Sequence, residues 1–303
     1  MTKDETLALT ERISRLIAEK APYVDYTPNE VRDALDACTD KELSALIRDG
    51  YMTEDFELYY VVSRFAEHIG LSRYADGDYI RDVYAKARKF LPEELEKDAY
   101  MRTVKVPTAR LGRFLLTNVP YARGEFFQYA MPNVWEKRVT PSLGFFTGDV
   151  LFPSIYEGDM PWVSVCPSEI FTMSEAVPHA FGRVLVLGLG LGYFPFRIAE
   201  KADVREIVIV ERQREIIELF ETHLLPQFPR KEKITVVRAD AFDYLGKTPR
   251  GRFDYCYADI WENDVDGAAC YRKIKPHAER LDTTRFEYWI EREILWRMER
   301  EKK

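Results

Sequence analysis

Cysteine and histidine are scarce in this 303-residue sequence, with four residues of each type. The cysteines, Cys38, Cys166, Cys256 and Cys270, share no spacing typical of a metal site, and the start of the chain lacks the pattern of a signal peptide. We therefore expect free thiols, a cytoplasmic protein and no bound metal.

Long apolar runs and an excess of positive charge are also missing. No run approaches the roughly 20 residues that a membrane span needs, and the net charge is −7 with a pI near 5.4. Such a charge provides no general attraction to nucleic acid or to an anionic membrane. With 46% hydrophobic and 31% charged residues, the composition is typical of a soluble globular chain long enough for two domains.

The most informative stretch is Arg183–Gly192, in which an aliphatic run leads directly into glycines at alternate positions. The run Val184–Leu187 predicts a buried parallel strand, and the residues after the glycines predict a helix. Gly188, Gly190 and Gly192 allow a sharp turn and the close approach of a ligand. The free N–H groups of the first helical turn favour an electron-rich group. An ordinary strand–turn–helix corner is the alternative, because a lone glycine pattern is weak evidence.

Acidic residues follow three further predicted strands. These are Ile207–Val210 followed by Glu211, Ile234–Val237 followed by Asp240, and Phe253–Ala258 followed by Asp259. Glu211 lies 19 residues after Gly192, where α/β folds place an acid that binds ribose hydroxyls. Because the carboxyl ends of parallel strands form the ligand crevice of an open sheet, we expect the glycine turn and the three acids to converge on one site.

As a set, the glycine turn and the segments Val210-Glu211, Ala239-Asp240-Ala241 and Ala258-Asp259-Ile260 resemble the class I S-adenosylmethionine-dependent methyltransferase fold. The resemblance is greatest to its spermidine-synthase-like branch, and it extends from about residue 139 to residue 260. It implies a doubly wound, mostly parallel sheet of the Rossmann-like methyltransferase type. It also implies S-adenosylmethionine as cofactor and methyl transfer to a small-molecule substrate.

The resemblance assigns a role to each residue of the predicted site. The glycine turn would bind the methionyl end of the cofactor, and Glu211 the ribose hydroxyls. Asp240 would accept a hydrogen bond from the adenine amino group beside the N–H of Ala241. Asp259 would face the reacting end, where a carboxylate stabilises a sulfonium by charge.

Two features depart from the family pattern. Aminopropyltransferases carry an aspartate inside the glycine turn, where this chain has Leu191. The segment after Asp259 is also short, so we expect a C-terminally truncated sheet without the family's antiparallel hairpin. There the sequence predicts a helix from about Asp266 that Pro276 interrupts or ends, and a last helix to about Arg300. Between them, residues 286–290 predict a short fifth strand or an aromatic helix.

Three other functions are compatible with the sequence. One is spermidine-synthase-like aminopropyl transfer, which the absence of a carboxylate at Leu191 disfavours. Another is a nicotinamide-dependent dehydrogenase, whose fingerprint requires glycine where this chain has Tyr193. A non-catalytic nucleotide-binding scaffold is the third, because a fold can persist without its chemistry.

The N-terminal third of the sequence reads as short helices. Capping boxes begin at Thr27 and Thr39, and helical periodicity covers residues 55–69 and 78–91. A winged-helix DNA-binding domain is disfavoured, because residues 41–49 carry only two cations among acids. We expect a cap or dimerisation domain instead, and hence a possible homodimer.

The sequence thus predicts three parts: a helical domain over residues 1–103, a β-rich connector over 104–167, and a cofactor-binding α/β domain over 168–303. The connector is predicted to be one small antiparallel unit. Its expected strands are 112–119, 125–131, 143–146, 150–156 and 160–165. A helix capped by Ser168 follows, and its Glu169 and Glu175 are either solvated surface acids or ligands of a substrate amine.

Overall fold

The computed structural model describes residues 56–71, 76–135 and 138–300. The capping boxes at Thr27 and Thr39 lie outside these residues. The chain divides into two compact units, each discontinuous in sequence: Met1–Leu95 with Pro120–Leu151, and Glu96–Val119 with Phe152–Lys303. The three-part division by sequence stays a prediction.

The first half of the described chain contains three short helices and seven strands. In order they are α1 (Phe56–His68), α2 (Gly77–Lys86), β1 (Arg88–Phe90), α3 (Ala99–Thr103), β2 (Ala109–Leu111), β3 (Phe114–Tyr121), β4 (Phe126–Trp135), β5 (Arg138–Phe146), β6 (Val150–Glu157) and β7 (Met160–Ser164). A 3-10 helix over Pro92–Lys97 precedes α3.

The predicted helices of this half are confirmed in part. The helix expected over residues 55–69 is α1, and Gly70 after it has a positive φ of 77°. The predicted end of the helix over residues 78–91 was wrong, because α2 stops at Lys86 and residues 88–90 form β1. Strand β1 pairs in parallel with β5, and this pairing supplies backbone hydrogen bonds that a helix would otherwise make internally.

The predicted connector strands exist, but they form two sheets rather than one antiparallel unit. One sheet has the order β1-β5-β4 and the other β2-β3-β6-β7. The apolar side chains of α1 and α2 pack with Phe126, Leu143 and Phe145 into a core of the first unit. Alternating hydrophobicity defined the strands but carried no information on which strands pair.

The second unit contains the α/β domain. Its elements are α4 (Pro167–Ser174), β8 (Gly182–Leu187), α5 (Tyr193–Ala199), β9 (Val204–Glu211), α6 (Arg214–Leu219), β10 (Ile234–Arg238), α7 (Ala241–Lys247), β11 (Tyr255–Ala258), α8 (Asp264–Arg280), β12 (Arg285–Tyr288) and α9 (Glu291–Arg300). The five strands form a parallel sheet of order β10-β9-β8-β11-β12. The predicted strands, including the fifth, are therefore confirmed.

Both faces of this sheet are buried, which explains the continuous apolar runs in its strands. Val184 and Val186 of β8 belong to one core, and Leu185 and Leu187 belong to the other. Helices cover both faces, so the sheet is doubly wound. The carboxyl ends of β8, β9, β10 and β11 lie at one edge, and the candidate site is found there.

Three helix predictions need correction. The cap of α4 is Cys166 and not Ser168, because Pro167 occupies the first turn, where its missing N–H has no cost. The helix expected from about Asp266 is α8, which begins at Asp264. Asn263 is its N-cap, and Asp266 completes a capping box with Asn263. Pro276 lies inside α8 without ending it.

Candidate functional site

The glycine turn follows β8 and connects it to α5. Gly188, Gly190 and Gly192 all have positive φ values, of 95°, 52° and 74°. A Cβ atom at Gly188 would overlap the backbone carbonyl oxygen of Asp259, and one at Gly192 would overlap the ring of Phe220. Glycine is therefore required at both positions by close packing as well as by conformation.

Glu211 lies at the end of β9, beside the glycine turn. Its side chain is buried, and its two oxygens accept hydrogen bonds from the backbone N–H groups of Gln213 (2.7 Å) and Leu189 (3.3 Å). Burial raises the pKa of this carboxyl, and the backbone donors oppose the rise. These bonds fix the carboxylate beside the turn, and each oxygen keeps a lone pair for a ligand.

Asp240 follows β10 and caps α7. Its Oδ1 accepts from the backbone N–H groups of Phe242 (2.9 Å) and Asp243 (3.1 Å). Both bonds use the same oxygen, and Ala241 is buried in the first turn of α7. Asp240 therefore has a structural role in addition to the predicted role in ligand binding.

Asp259 follows β11 and lines the same cleft as an acid from a distant segment, Glu169 of α4. Burial raises the pKa of Asp259 to about 7. Burial, followed by the charge of Asp259, raises the pKa of Glu169 to about 8. The charge of Asp259 thus opposes the ionisation of Glu169.

The carboxylates of Glu169 and Asp259 have no hydrogen-bond or ion-pair partner among the described residues. The other sequence-predicted acids differ in this respect, since Glu211 and Asp240 bind backbone N–H groups. Glu175 is exposed at the end of α4 and does not line the cleft. Of the two glutamates considered for binding an amine, only Glu169 lies at the site.

Two aromatic side chains at the site were not predicted from the sequence. The hydroxyl of Tyr257 and the indole Nε1 of Trp261 are buried and have no hydrogen-bond partner. The ring of Tyr257 stacks on Phe194 with centroids 4.1 Å apart. Both residues lie within three positions of Asp259, but in the sequence they are indistinguishable from ordinary core aromatics.

These groups line one cleft of about 810 Å³ within the second unit. The glycine turn, Glu211, Asp240, Asp259 and Glu169 all contribute to its wall. The lining contains seven acidic residues and one basic residue, Arg212. The predicted convergence of the glycine turn and the three acids is therefore present, and the cleft is strongly acidic.

Among residues 56–71, 76–135 and 138–300, no group of three or more histidine, cysteine, aspartate or glutamate side chains is arranged to hold a metal ion. No helix in the same residues has the length and apolar character needed to cross a membrane.

Comparison with known proteins gives no family model and no curated protein that matches this chain. Solved structures that match part of this chain include a precorrin-8w decarboxylase from Methanobacterium thermoautotrophicum, at 20% identity and a TM-score of 0.30. A putative O-methyltransferase from Klebsiella pneumoniae matches at 17% identity and a TM-score of 0.27. The O-methyltransferase TomG from Streptomyces achromogenes, in complex with S-adenosylmethionine, matches at 18% and 0.29.

These matches cover 39%, 35% and 36% of this chain, and 60%, 48% and 48% of the respective neighbours. At such identities and TM-scores they assign no activity. The sheet order and the glycine turn after the central strand define the architecture. The domain has a doubly wound, Rossmann-like α/β fold. Within the described residues, its sheet has no antiparallel hairpin after β12.

Proposed function

We propose that this chain binds S-adenosylmethionine and transfers its methyl group to a small molecule, as a protein of the cytoplasm. The observation that carries the proposal is the convergence of the glycine turn, Glu211, Asp240 and Asp259 in one cleft at the carboxyl edge of a parallel sheet. Ligands of open α/β sheets bind at this edge.

The residues present fit this cofactor. The tight packing at Gly188 and Gly192 contrasts with Gly190, where an added Cβ would find its nearest neighbour, Val163 Cγ2, 3.5 Å away. The backbone at Gly190 is thus accessible to a ligand. Glu211 would accept hydrogen bonds from the ribose hydroxyls, a bidentate arrangement that suits a fixed carboxylate.

The adenine would lie near α7, where Asp240 Oδ2 is left over from helix capping and can accept from the amino group. When bound, S-adenosylmethionine supplies an electrophilic methyl group and leaves as a neutral thioether. The protein positions the acceptor and excludes water, because methyl transfer depends on alignment more than on a strong base.

Aminopropyl transfer is disfavoured by Leu191. This side chain is buried in the core of the domain, so the glycine turn presents no carboxylate to the amino group of a decarboxylated cofactor. A dehydrogenase is disfavoured by Tyr193, which begins α5 and donates its hydroxyl to Asp98 Oδ2 at 2.8 Å. The side chain there is a structural part of the domain, where the dinucleotide fingerprint needs glycine.

Isothermal titration calorimetry with four ligands tests the proposal. S-adenosylmethionine and its demethylated product, S-adenosylhomocysteine, should both bind, while decarboxylated S-adenosylmethionine should gain no advantage and NAD should not bind. Preferential binding of NAD would contradict the proposal. Production of spermidine from putrescine and the decarboxylated cofactor would replace it with aminopropyl transfer.

A further inference from the structure

An acidic pair without a partner lies in the cleft beside the residues assigned to the cofactor. Of the seven acidic residues in the lining, Glu211, Asp240 and Asp266 bind backbone N–H groups, and Glu157 pairs with Arg113 at 2.9 Å. Glu262 is exposed to solvent. Glu169 and Asp259 are the half-buried acids of the lining whose carboxylates no described residue satisfies.

A second observation at the same place concerns Tyr257. Its hydroxyl is buried and has no hydrogen-bond partner, although its residue lines the cleft. The charges of Asp259 and Glu169 both act on this hydroxyl and raise the pKa of Tyr257, after the larger effect of burial. Buried polar groups are normally satisfied, so this open hydroxyl, in a lining that also holds two unpaired carboxylates, indicates a place where a polar ligand binds.

The chemistry of these three groups is complementary to a protonated amine. An ammonium group has three N–H donors and no acceptor, and carboxylate and hydroxyl oxygens accept such bonds. A cation would also remove the repulsion between the two acids. An anionic acceptor, such as a carboxylic acid or a phosphate ester, would meet a wall that holds one basic residue, Arg212.

We propose that Glu169, Asp259 and Tyr257 form the acceptor subsite of the cleft and select a small primary or secondary amine in its protonated form. This inference rests on the proposed methyl transfer and names the substrate class for it. The aromatic rings of Trp261 and Trp289 in the same lining add a surface that attracts organic cations.

The subsite also supplies the proton acceptor that N-methylation needs. The ammonium proton moves to the carboxylate of Glu169, which frees the nitrogen lone pair to form the N–C bond as the C–S bond pair stays with sulfur. The product amine carries a positive charge, and the proton on Glu169 returns to solvent. The raised pKa of Glu169 brings its basicity closer to that of an amine than an exposed glutamate would be.

Three aromatic probes of similar size test the inference: benzylamine, which is a cation, benzyl alcohol, which is neutral, and benzoate, which is an anion. Their binding is measured by calorimetry on the full chain saturated with S-adenosylhomocysteine. Benzylamine should bind at least about tenfold more tightly than benzyl alcohol, since its ammonium group forms hydrogen bonds to charged carboxylates. Benzoate should not bind. From pH 6 to 8.5 the affinity for benzylamine should rise, because both acids gain charge as their protons leave.

The variant Glu169→Gln preserves the shape of the side chain and removes its charge. It should weaken benzylamine binding about tenfold, flatten the pH dependence, and leave the affinities for benzyl alcohol and S-adenosylhomocysteine unchanged. Glu175→Gln is the matched control, because it makes the same change on the exposed end of α4 outside the cleft. It should bind benzylamine like the wild type.

Several results would overturn the inference. Equal affinities for benzylamine and benzyl alcohol, or no benzylamine binding at millimolar concentration, would exclude a cation subsite. If Glu169→Gln instead weakened S-adenosylhomocysteine and left benzylamine unchanged, the carboxylate would belong to the cofactor's own ammonium group. Failure of S-adenosylhomocysteine to bind the wild type would overturn the proposed function itself, together with the inference.

Discussion

At the scale of the residue, the cleft contains acids of two kinds. Glu211 and Asp240 are held by backbone N–H groups, and their orientation is fixed before any ligand arrives. Glu169 and Asp259 are held by no such bonds. Burial opposes the ionisation of both acids, and the charge of Asp259 also opposes that of Glu169. Fixed acids suit the recognition of neutral hydroxyl and amino groups, whereas the unsatisfied pair suits a cation.

Replacement of Glu211 by alanine tests the fixed acids. Glu211→Ala should weaken S-adenosylmethionine binding at least tenfold, since charged hydrogen bonds contribute about 1.5–3 kcal/mol. Calorimetry gives the affinity, and thermal unfolding checks that the variant is folded. Glu218→Ala, on the exposed face of α6, is the control and should bind normally. Wild-type affinity in a folded Glu211→Ala variant would show that this acid does not bind the ribose.

At the scale of the element, the short helix α3 holds the glycine turn in place from outside the sheet. The hydroxyl of Tyr100 donates to the carbonyl oxygen of Leu191 at 2.7 Å. Asp98 caps α3 and accepts from the hydroxyl of Tyr193 at 2.8 Å and from Arg197 Nη1 at 2.7 Å. These hydrogen bonds therefore connect α3 to the turn and to the first helix after it.

The variant Tyr100→Phe tests this connection. It keeps the ring, which packs against Tyr193 and Phe196, and leaves the Leu191 carbonyl without this donor, at a cost of about 1–3 kcal/mol. We expect a lower melting temperature and weaker S-adenosylmethionine binding. Tyr244→Phe removes a hydroxyl that hydrogen-bonds to no described residue and should change neither. Equal stability of Tyr100→Phe and wild type would mean that the turn is held without α3.

At the scale of the whole molecule, the pH dependence of stability separates two groups of acids. Asp254 binds Arg183, and this hydrogen bond lowers the pKa of Asp254 to about 2. Its contribution is present above the unfolded pKa and is lost only as the pH falls toward 2. Asp259 and Glu169 have raised pKa values in the folded chain, of about 7 and about 8. Their contribution to folding stability is therefore present in acid and is lost as the pH rises through these values.

The melting temperature of the ligand-free protein should therefore fall between pH 5.5 and pH 8.5, because the folded state must then ionise this pair. The double variant Glu169→Gln and Asp259→Asn should show a smaller fall. Subtracting the two curves removes the contributions of the acids that both proteins share, such as Glu211. An identical fall in the melting temperature of both proteins would mean that Glu169 and Asp259 ionise as easily in the folded chain as in the unfolded chain.

The sequence was sufficient for the α/β domain because its signals are local. An aliphatic run such as Val184–Leu187 is recognisable as a buried strand by itself, and the rule that ligands bind at the carboxyl ends of parallel strands places Glu211, Asp240 and Asp259 together. Local signals failed where two conformations share a pattern. Residues 88–90 continued a helical periodicity, yet pairing with β5 made them a strand.

The sequence by itself determined the strands, the glycine turn and the acids that follow the strands, since the spacing of apolar and polar residues fixes which face of an element is buried. Only the tertiary structure decided which distant segments meet. It placed Glu169 of α4 and Asp259 in one cleft, left Tyr257 as an unsatisfied hydroxyl in the same lining, and brought Tyr100 to Leu191 across 91 positions of sequence. Spacing along the chain contains no record of such contacts, because they arise from the packing of complete elements.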